Sequence, residues 1–88
     1  MKIIIDPHTL QRAAERGATE NEITETLLTG MLSAAKGGRK SRAKVFDFNN
    51  SWCGKHYEQK KIEVIFTEQD GAIITITVYV FYGKWNEA

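Results

Sequence analysis

The sequence has 88 residues, with 12 Lys and Arg against 11 Asp and Glu and a hydrophobic content of 42%. This length fits one domain over residues 1–88, and the apolar content excludes a chain that is disordered throughout. No apolar run is long enough for a membrane-spanning helix, and the start MKIIIDP lacks the extended apolar stretch of a signal peptide. We therefore expect a cytoplasmic protein without a membrane partner, and the single Cys53 cannot form an internal disulfide.

The charges are unevenly distributed, although the net charge is only +1. The segment KGGRKSRAK, residues 36–44, contains five basic residues and no acidic residue. Such a cluster is typical of a phosphate-binding surface, but a solvated loop has the same composition. The composition leaves both interpretations open.

The first elements are a short strand and a helix. Residues 2–5 (KIII) are β-branched apart from the lysine and predict a strand. Asp6 followed by Pro7 is a helix start, and Gly17 predicts the helix end. The predicted core face of this helix comprises Leu10, Ala13, Ala14 and Gly17, and the opposite polar face comprises His8, Gln11, Arg12, Glu15 and Arg16.

A second helix begins at TENE, residues 19–22, which has the pattern of a capping box. Gly30 is predicted to end this helix, and residues 36–42 are predicted to form a loop that carries the basic cluster. The predicted apolar face of the helix consists of Ile23, Leu27, Leu28 and Met31.

Three strand-like segments follow, AKVFDF, YEQKKIEVIF and AIITITVYVFY, separated by turn signals in NNSWCGKH and EQDG. The predicted fold class is α+β, with two N-terminal helices packed on one face of a three- to four-stranded antiparallel sheet in the order βααβββ. In the last strand, alternation predicts that an aliphatic face is buried and a polar-aromatic face is open. The aliphatic face comprises Ile74, Ile76, Val78 and Val80, and the other comprises Thr75, Thr77, Tyr79 and Phe81.

Four motifs occur in order between about Asp6 and Trp85: H-x3-R-x3-RG, T-x-x-E-I-x-x-x-L-x-x-G, FNNSW-x-GKHY-x-x-KK and ITITVYVFYGKW. With these motifs the chain resembles domain-of-unknown-function family 4258. The resemblance implies a fold like that of the RelE- and BrnT-like toxins, which are small metal-independent ribonucleases of a similar ααβββ build. It implies a toxin-like endoribonuclease or an RNA-binding relative, with RNA and an antitoxin-like protein as partners.

The polar face of the first helix supplies candidate catalytic residues. Cleaving RNA without a metal needs a group that exchanges protons and cations that bind the phosphate. His8 is the candidate general acid or base, because the helix N-terminus opposes protonation of its imidazole. Arg12 and Arg16, one and two turns further on, are candidate phosphate clamps. The alternative is an ordinary solvated face, on which Glu15 pairs with Arg12.

Candidate substrate contacts lie where the second strand-like segment begins. On an extended chain Lys55 and Tyr57 point the same way, so that a base can stack on Tyr57 beside a cation. Lys60 is a candidate contact to backbone phosphate. The alternative is a plain turn with a positive φ at Gly54, anchored to the sheet by Trp52.

Thr77 and Tyr79 are further candidate substrate contacts, on the open face of the last strand, although such residues are also ordinary for an exposed sheet face. No cofactor is predicted. Cys53 and His56 have C-x-x-H spacing, and only His8 could add a third soft ligand, so no metal site is predicted.

A competing hypothesis is a non-catalytic interaction module. Its binding surface would be the open sheet face or an edge strand, for which VYVFYGKW is the candidate. The partner would be another protein or a second copy of the chain in a homodimer.

Overall fold

The structure is a computed structural model that describes residues 2–85. Its elements are β1 (Lys2–Ile4), α1 (Pro7–Arg16), α2 (Glu20–Thr29), β2 (Met31–Ala34), β3 (Lys40–Trp52), β4 (Lys55–Gln69) and β5 (Ala72–Gly83), with a 3₁₀ turn at Lys36–Gly38. The strands form one sheet in the order β1-β5-β4-β3-β2. The two helices cover one face of this sheet, α1 against β5 and α2 against β4 and β3. We call the other side the open face.

The α+β class is confirmed, but the predicted strand number and order are wrong. The sheet has five strands, and it is mixed because β1 runs parallel to β5 while the other pairs are antiparallel. The unpredicted strand is β2, which contains Met31 rather than leaving it on the apolar face of α2. At Gly30 the backbone leaves the helical conformation and becomes extended (φ −73°, ψ 165°), and the following residues pair with β3. Met31 is consequently 75% exposed.

The predicted helix boundaries are confirmed because they depend on local backbone groups. The Asp6 carboxylate accepts a hydrogen bond from the backbone N–H of His8 at 2.8 Å, which caps the start of α1. At Gly17, with φ 88°, α1 ends in the left-handed conformation. Thr19 and Glu22 form the predicted reciprocal capping box of α2.

The buried face of α1 differs from the predicted one. Thr9 and Ala13 are buried, whereas Leu10 is 39% exposed and Ala14 is exposed. Thr9 can be buried because its hydroxyl accepts a hydrogen bond of 2.8 Å from the hydroxyl of Thr75 on β5. This polar contact helps to set the rotation of α1 on the sheet, which places Arg16 beside β5.

A β-bulge in β5 overturns part of the predicted alternation. Phe66 pairs with Thr75 and Ile65 pairs with Thr77, so Ile76 is an extra residue without a partner on β4. The extra residue shifts the pattern by one position, and Thr75 is therefore buried under the helices while Thr77 lies on the open face. The core comprises Ala13, Ala18, Ile23, Leu27, Ile62, Val64, Phe66, Ile73 and Val78.

Candidate nucleic-acid interface

The candidate catalytic residues lie along one flank of α1. His8 is exposed in the first turn. The Arg12 guanidinium forms an ion pair of 2.8 Å with Glu15, and the two side chains are 39% and 50% exposed. Exposed pairs of this kind contribute at most about 1 kcal/mol. Arg12 can therefore exchange Glu15 for another anion at little cost.

Arg16 connects this flank to the rim of the sheet. Within residues 2–85, β1 pairs with β5 only as far as Ile74, and no other strand pairs with the outer edge of β5 beyond it. The Arg16 guanidinium donates a hydrogen bond of 2.6 Å to the carbonyl oxygen of Val78 at this edge. The same guanidinium lies 5.3 Å from the ring centre of Tyr79. The structure thus brings α1 and the open face of β5 together at one residue.

An aromatic cluster centred on Tyr82 adjoins the C-terminal end of α1. The Tyr82 ring stacks on Trp52 with centroids 5.0 Å apart, and it contacts Phe48 at 5.2 Å and Tyr57 at 5.5 Å. Its hydroxyl donates a hydrogen bond of 2.6 Å to the carbonyl oxygen of Arg16. Burial of this phenol raises its pKa, and the nearby charges of Glu22 and Cys53 raise it further. Tyr82 therefore stays a neutral donor that fixes the end of α1.

Lys55 and Tyr57 lie together at the edge of the aromatic cluster. The Lys55 ammonium lies 5.5 Å from the ring centre of Tyr57, as expected for side chains that point the same way. The preceding turn has positive φ at Cys53 (51°) and Gly54 (83°), which matches a two-residue hairpin turn. Because Tyr57 contacts Tyr82, these substrate candidates adjoin the end of α1.

Lys60 has a structural position that its sequence context did not predict. It is 6% exposed, and its ammonium donates hydrogen bonds to the carbonyl oxygen of Gly17 at 2.8 Å and to the Glu22 carboxylate at 2.9 Å. The ammonium also lies 5.4 Å from the ring centre of Phe48. With these partners Lys60 ties both helices to β4, and it is unavailable to a phosphate at the surface.

The basic cluster of residues 36–44 is partly neutralised. Lys40 pairs with Glu68 and Lys44 pairs with Glu25, at 3.1 Å and 2.7 Å. Arg42 donates a hydrogen bond of 2.8 Å to the carbonyl oxygen at position 30. Three of the five cations therefore have partners within the fold, which favours a structural interpretation of most of this segment.

The open face carries a groove that could not be predicted from the sequence of any single strand. Its volume is about 580 Å³, and its lining includes Met31 of β2, Val45 of β3, Lys61 and Glu63 of β4, and Phe81 of β5. The available signal was the alternation of Lys61 and Glu63 with the buried residues of β4. The apolar residues around them come from other strands, so the groove becomes visible only when the register is known.

Residues 2–85 contain neither a cluster of metal-binding side chains nor a membrane-spanning helix. Over residues 2–85, no three side chains of His, Cys, Asp or Glu gather closely enough to hold a metal ion. In the same range, neither helix has the length and apolar character needed to cross a membrane.

No protein-family model, curated protein or solved structure matches this chain. The resemblance to family 4258 therefore stays a prediction. The function has to be inferred from the geometry of the candidate residues.

Proposed function

We propose that the chain binds RNA along a strip made of His8, Arg12 and Arg16 on α1 and Tyr79 at the rim of the sheet, which we call the RNA strip. The observation that carries this proposal is the position of Arg16, which reaches from the helix to Val78 and Tyr79. A base that stacks on Tyr79 would lie beside a guanidinium, and its phosphates would follow the arginines of α1.

The strip continues beyond the end of α1. Tyr57 and Lys55 offer a second stacking surface with a neighbouring cation, adjacent to Tyr82. On the open face, Thr77 precedes Tyr79 by two residues and can donate a hydrogen bond to a bound base. Lys60 is not part of the strip, because its ammonium is engaged in the fold.

At the His8 end of the strip we propose metal-independent cleavage of the RNA chain. The exposed imidazole would accept the proton of a ribose 2′-hydroxyl as that oxygen bonds to the phosphorus. The bond from phosphorus to the 5′-oxygen would break, leaving a 2′,3′-cyclic phosphate, and the departing 5′-oxygen would take a proton from water. Arg12, released from Glu15, would stabilise the charge that develops on the phosphate oxygens. This step is of the toxin-like ribonuclease class that the resemblance implies.

Binding is tested with single-stranded RNA at several salt concentrations. Replacing Arg12 by Ala should weaken binding about tenfold and flatten the dependence of log K on log salt by roughly 0.7 for each lost phosphate contact. Arg39→Ala, an exposed arginine in the basic loop, is the control of equal charge and should change binding much less. Equal losses in both variants would contradict a strip on α1.

Cleavage is tested in cells by induction of the chain, with growth recorded and RNA ends mapped. The parent should arrest growth and create new RNA ends, and His8→Ala/Arg12→Ala should do neither. His56→Ala/Arg39→Ala removes the same residue types elsewhere and should behave like the parent. Normal growth and intact RNA in all cultures would contradict the catalytic part of the proposal.

A protein-interaction module is the second candidate, and the groove on the open face is the observation that favours it. The outer edge of β5 has no strand partner beyond Ile74 within residues 2–85, and a strand added there would displace Arg16 from the carbonyl oxygen of Val78. An antitoxin-like protein or a second copy would be the partner. Association with a protein partner that RNA does not affect, and that changes little with salt concentration, would favour this candidate over the RNA strip.

A further inference from the structure

Two rows of side chains cross the open face perpendicular to the strands. The strand register defines them: the first row is Met31, Ala43, Glu63 and Tyr79, and the second row is Val45, Lys61 and Phe81. Both rows are apolar except for one residue each on the central strand β4. The first row carries an acid at that place, and the second carries a base.

Three members of the two rows are exposed, whereas Ala43 and Val45 are half-buried. Met31 is 75% exposed, Phe81 49% and Tyr79 42%. Lys61 and Glu63 are half-buried between them, and no ion pair within residues 2–85 includes either charge. Uncovered aromatic rings around charges that lack an ionic partner are features of a binding surface rather than of an ordinary solvated sheet face.

The arrangement of the rows is self-complementary. A two-fold axis that lies in the plane of the interface, parallel to the rows and midway between them, places the first row of one copy over the second row of the other. Glu63 then faces Lys61 of the second copy, and Tyr79 faces its Phe81. Ala43 faces Val45, a small residue against a larger one, and each of these contacts occurs twice.

From this we infer that the open face is the interface of a homodimer, formed by face-to-face packing of two sheets. Packed sheets cross at about 30°, which leaves residues near the axis aligned. Lys61 and Glu63 lie on the central strand, in the middle of the rows, so a rotation about the centre of the interface displaces them least. Two of the molecular dimensions, 41 and 29 Å, exceed the third, 22 Å, and give the sheet layer room for an interface of about 800 Å² per partner.

The charges on the rows favour a second copy over RNA as the occupant. The charges of Lys61 and Glu63 cancel, so the two rows do not attract an anion such as RNA. An unrelated protein would have to supply a matching base and acid at the same spacing, whereas a second copy supplies both through the two-fold axis. This inference rests on the second candidate of the proposed function and not on the RNA strip. Because Tyr79 belongs to both surfaces, a base stacked on Tyr79 and a second copy packed on it exclude each other.

The test is a charge-swap series on the full chain, with the oligomeric state measured by sedimentation equilibrium over a range of concentrations. The parent should dimerise. Lys61→Glu places acids against acids, Glu63→Lys places bases against bases, and each should weaken the dimer at least about tenfold. The double variant Lys61→Glu/Glu63→Lys should recover the parental association.

A mixture provides the sharpest comparison. Equal amounts of the Lys61→Glu and Glu63→Lys variants should form a heterodimer more tightly than either forms a homodimer, because each acid again faces a base. A monomeric parent, or a dimer that neither Lys61→Glu nor Glu63→Lys weakens, would overturn the inference. Thermal unfolding of each variant, at a concentration low enough for the parent to be monomeric, checks the fold, and since both positions lie outside the core, we expect unchanged transitions there.

The two proposals fail separately. Loss of RNA binding in Arg12→Ala with the dimer intact supports the strip and leaves the interface unaffected. Loss of the dimer in Lys61→Glu, with RNA binding unchanged or stronger because Tyr79 is uncovered, supports the interface and leaves the strip standing. A parent that is monomeric at every concentration without RNA and still binds RNA overturns the interface and leaves the strip standing.

Discussion

Lys60 stabilises the fold, although a lysine at this place in the sequence suggests a contact to a phosphate. A buried ammonium needs compensating partners, and here they are a helix-end carbonyl at Gly17 and the carboxylate of Glu22. Glu22 also closes the capping box of α2 through Thr19. One lysine therefore connects the end of α1, the start of α2 and the central strand.

Replacing Lys60 by Met keeps the aliphatic stem and removes these polar contacts. We expect a loss of about 2–3 kcal/mol in the free energy of unfolding, since a charged donor disappears and buried acceptors lose their partner. Urea unfolding measures the loss. Lys55→Met, an exposed lysine on the same strand, should change stability by less than about 0.5 kcal/mol. Equal effects of the two substitutions would show that Lys60 is not a structural tie.

Gly17 combines two constraints at the end of α1. Its φ of 88° is unfavourable for residues with a side chain, and a Cβ atom there would collide with the Tyr82 hydroxyl and come within 3.0 Å of the Trp52 ring. Gly54 has a similar φ of 83° but open space around it. A comparison of substitutions at the two glycines therefore separates the cost of backbone strain from the cost of steric conflict.

We expect Gly54→Ala to cost about 1 kcal/mol, because only the backbone is affected. Gly17→Ala should cost at least about 1 kcal/mol more, because the aromatic cluster must also move. Thermal or urea unfolding of both variants measures the difference. Indistinguishable losses would mean that Tyr82 and Trp52 do not pack against this turn as tightly as described.

At the scale of the element, the bulge at Ile76 decides which face of β5 each residue joins. Thr75 turns inward, where it accepts a hydrogen bond of 2.9 Å from the backbone N–H of Asp6 and donates one of 2.8 Å to Thr9. Thr77 lies on the open face, two positions along the chain but on the other side of the sheet. The bulge therefore links the start of α1 to the sheet.

Thr75→Val and Thr77→Val are a matched pair that tests this geometry. Thr75→Val should lower the free energy of unfolding by about 1–3 kcal/mol, because the partly buried N–H of Asp6 loses its acceptor and the buried Thr9 hydroxyl loses its donor. Thr77→Val should stay within about 0.5 kcal/mol of the parent or stabilise slightly, given the strand preference of valine. Chemical denaturation of both variants is the measurement. Comparable losses would indicate that the two residues share a face, as simple alternation predicts.

At the scale of the molecule, stability should be graded across the sheet. β4 is the central strand, and its side chains at Ile62, Val64 and Phe66 are at most 1% exposed. β2 is an edge strand of four residues, all of them exposed. Local opening requires less free energy where few apolar contacts are lost.

Amide hydrogen exchange followed by nuclear magnetic resonance should therefore be slowest at residues 62–66 and fastest, among the strands, at residues 31–34. We expect the opening free energies of the two segments to differ by about 3 kcal/mol or more. Equal protection would contradict this gradient. Protection of β2 that increases with protein concentration would instead point to the dimer, since Met31 belongs to its interface.

Features that depend on neighbouring residues could be predicted from the amino-acid sequence. The caps at Asp6 and Gly17 and the capping box that begins at Thr19 fixed both helices, because helix ends are satisfied by groups a few residues away. The turn at Asp70 and Gly71, both with positive φ, likewise follows from local backbone preferences. The α+β class and the row of candidate residues on α1 followed from these boundaries.

Tertiary structure decided the features that depend on distant partners. The burial of Thr9 and Lys60 required a donor and acceptors at least 38 residues away, and residue type alone predicts exposure for both. The bulge at Ile76 and the pairing of β1 with β5 are matters of register, which no single strand specifies. The contact of Arg16 with Tyr79, and the rows that carry Lys61, exist for the same reason: the sheet brings together residues that the chain keeps apart.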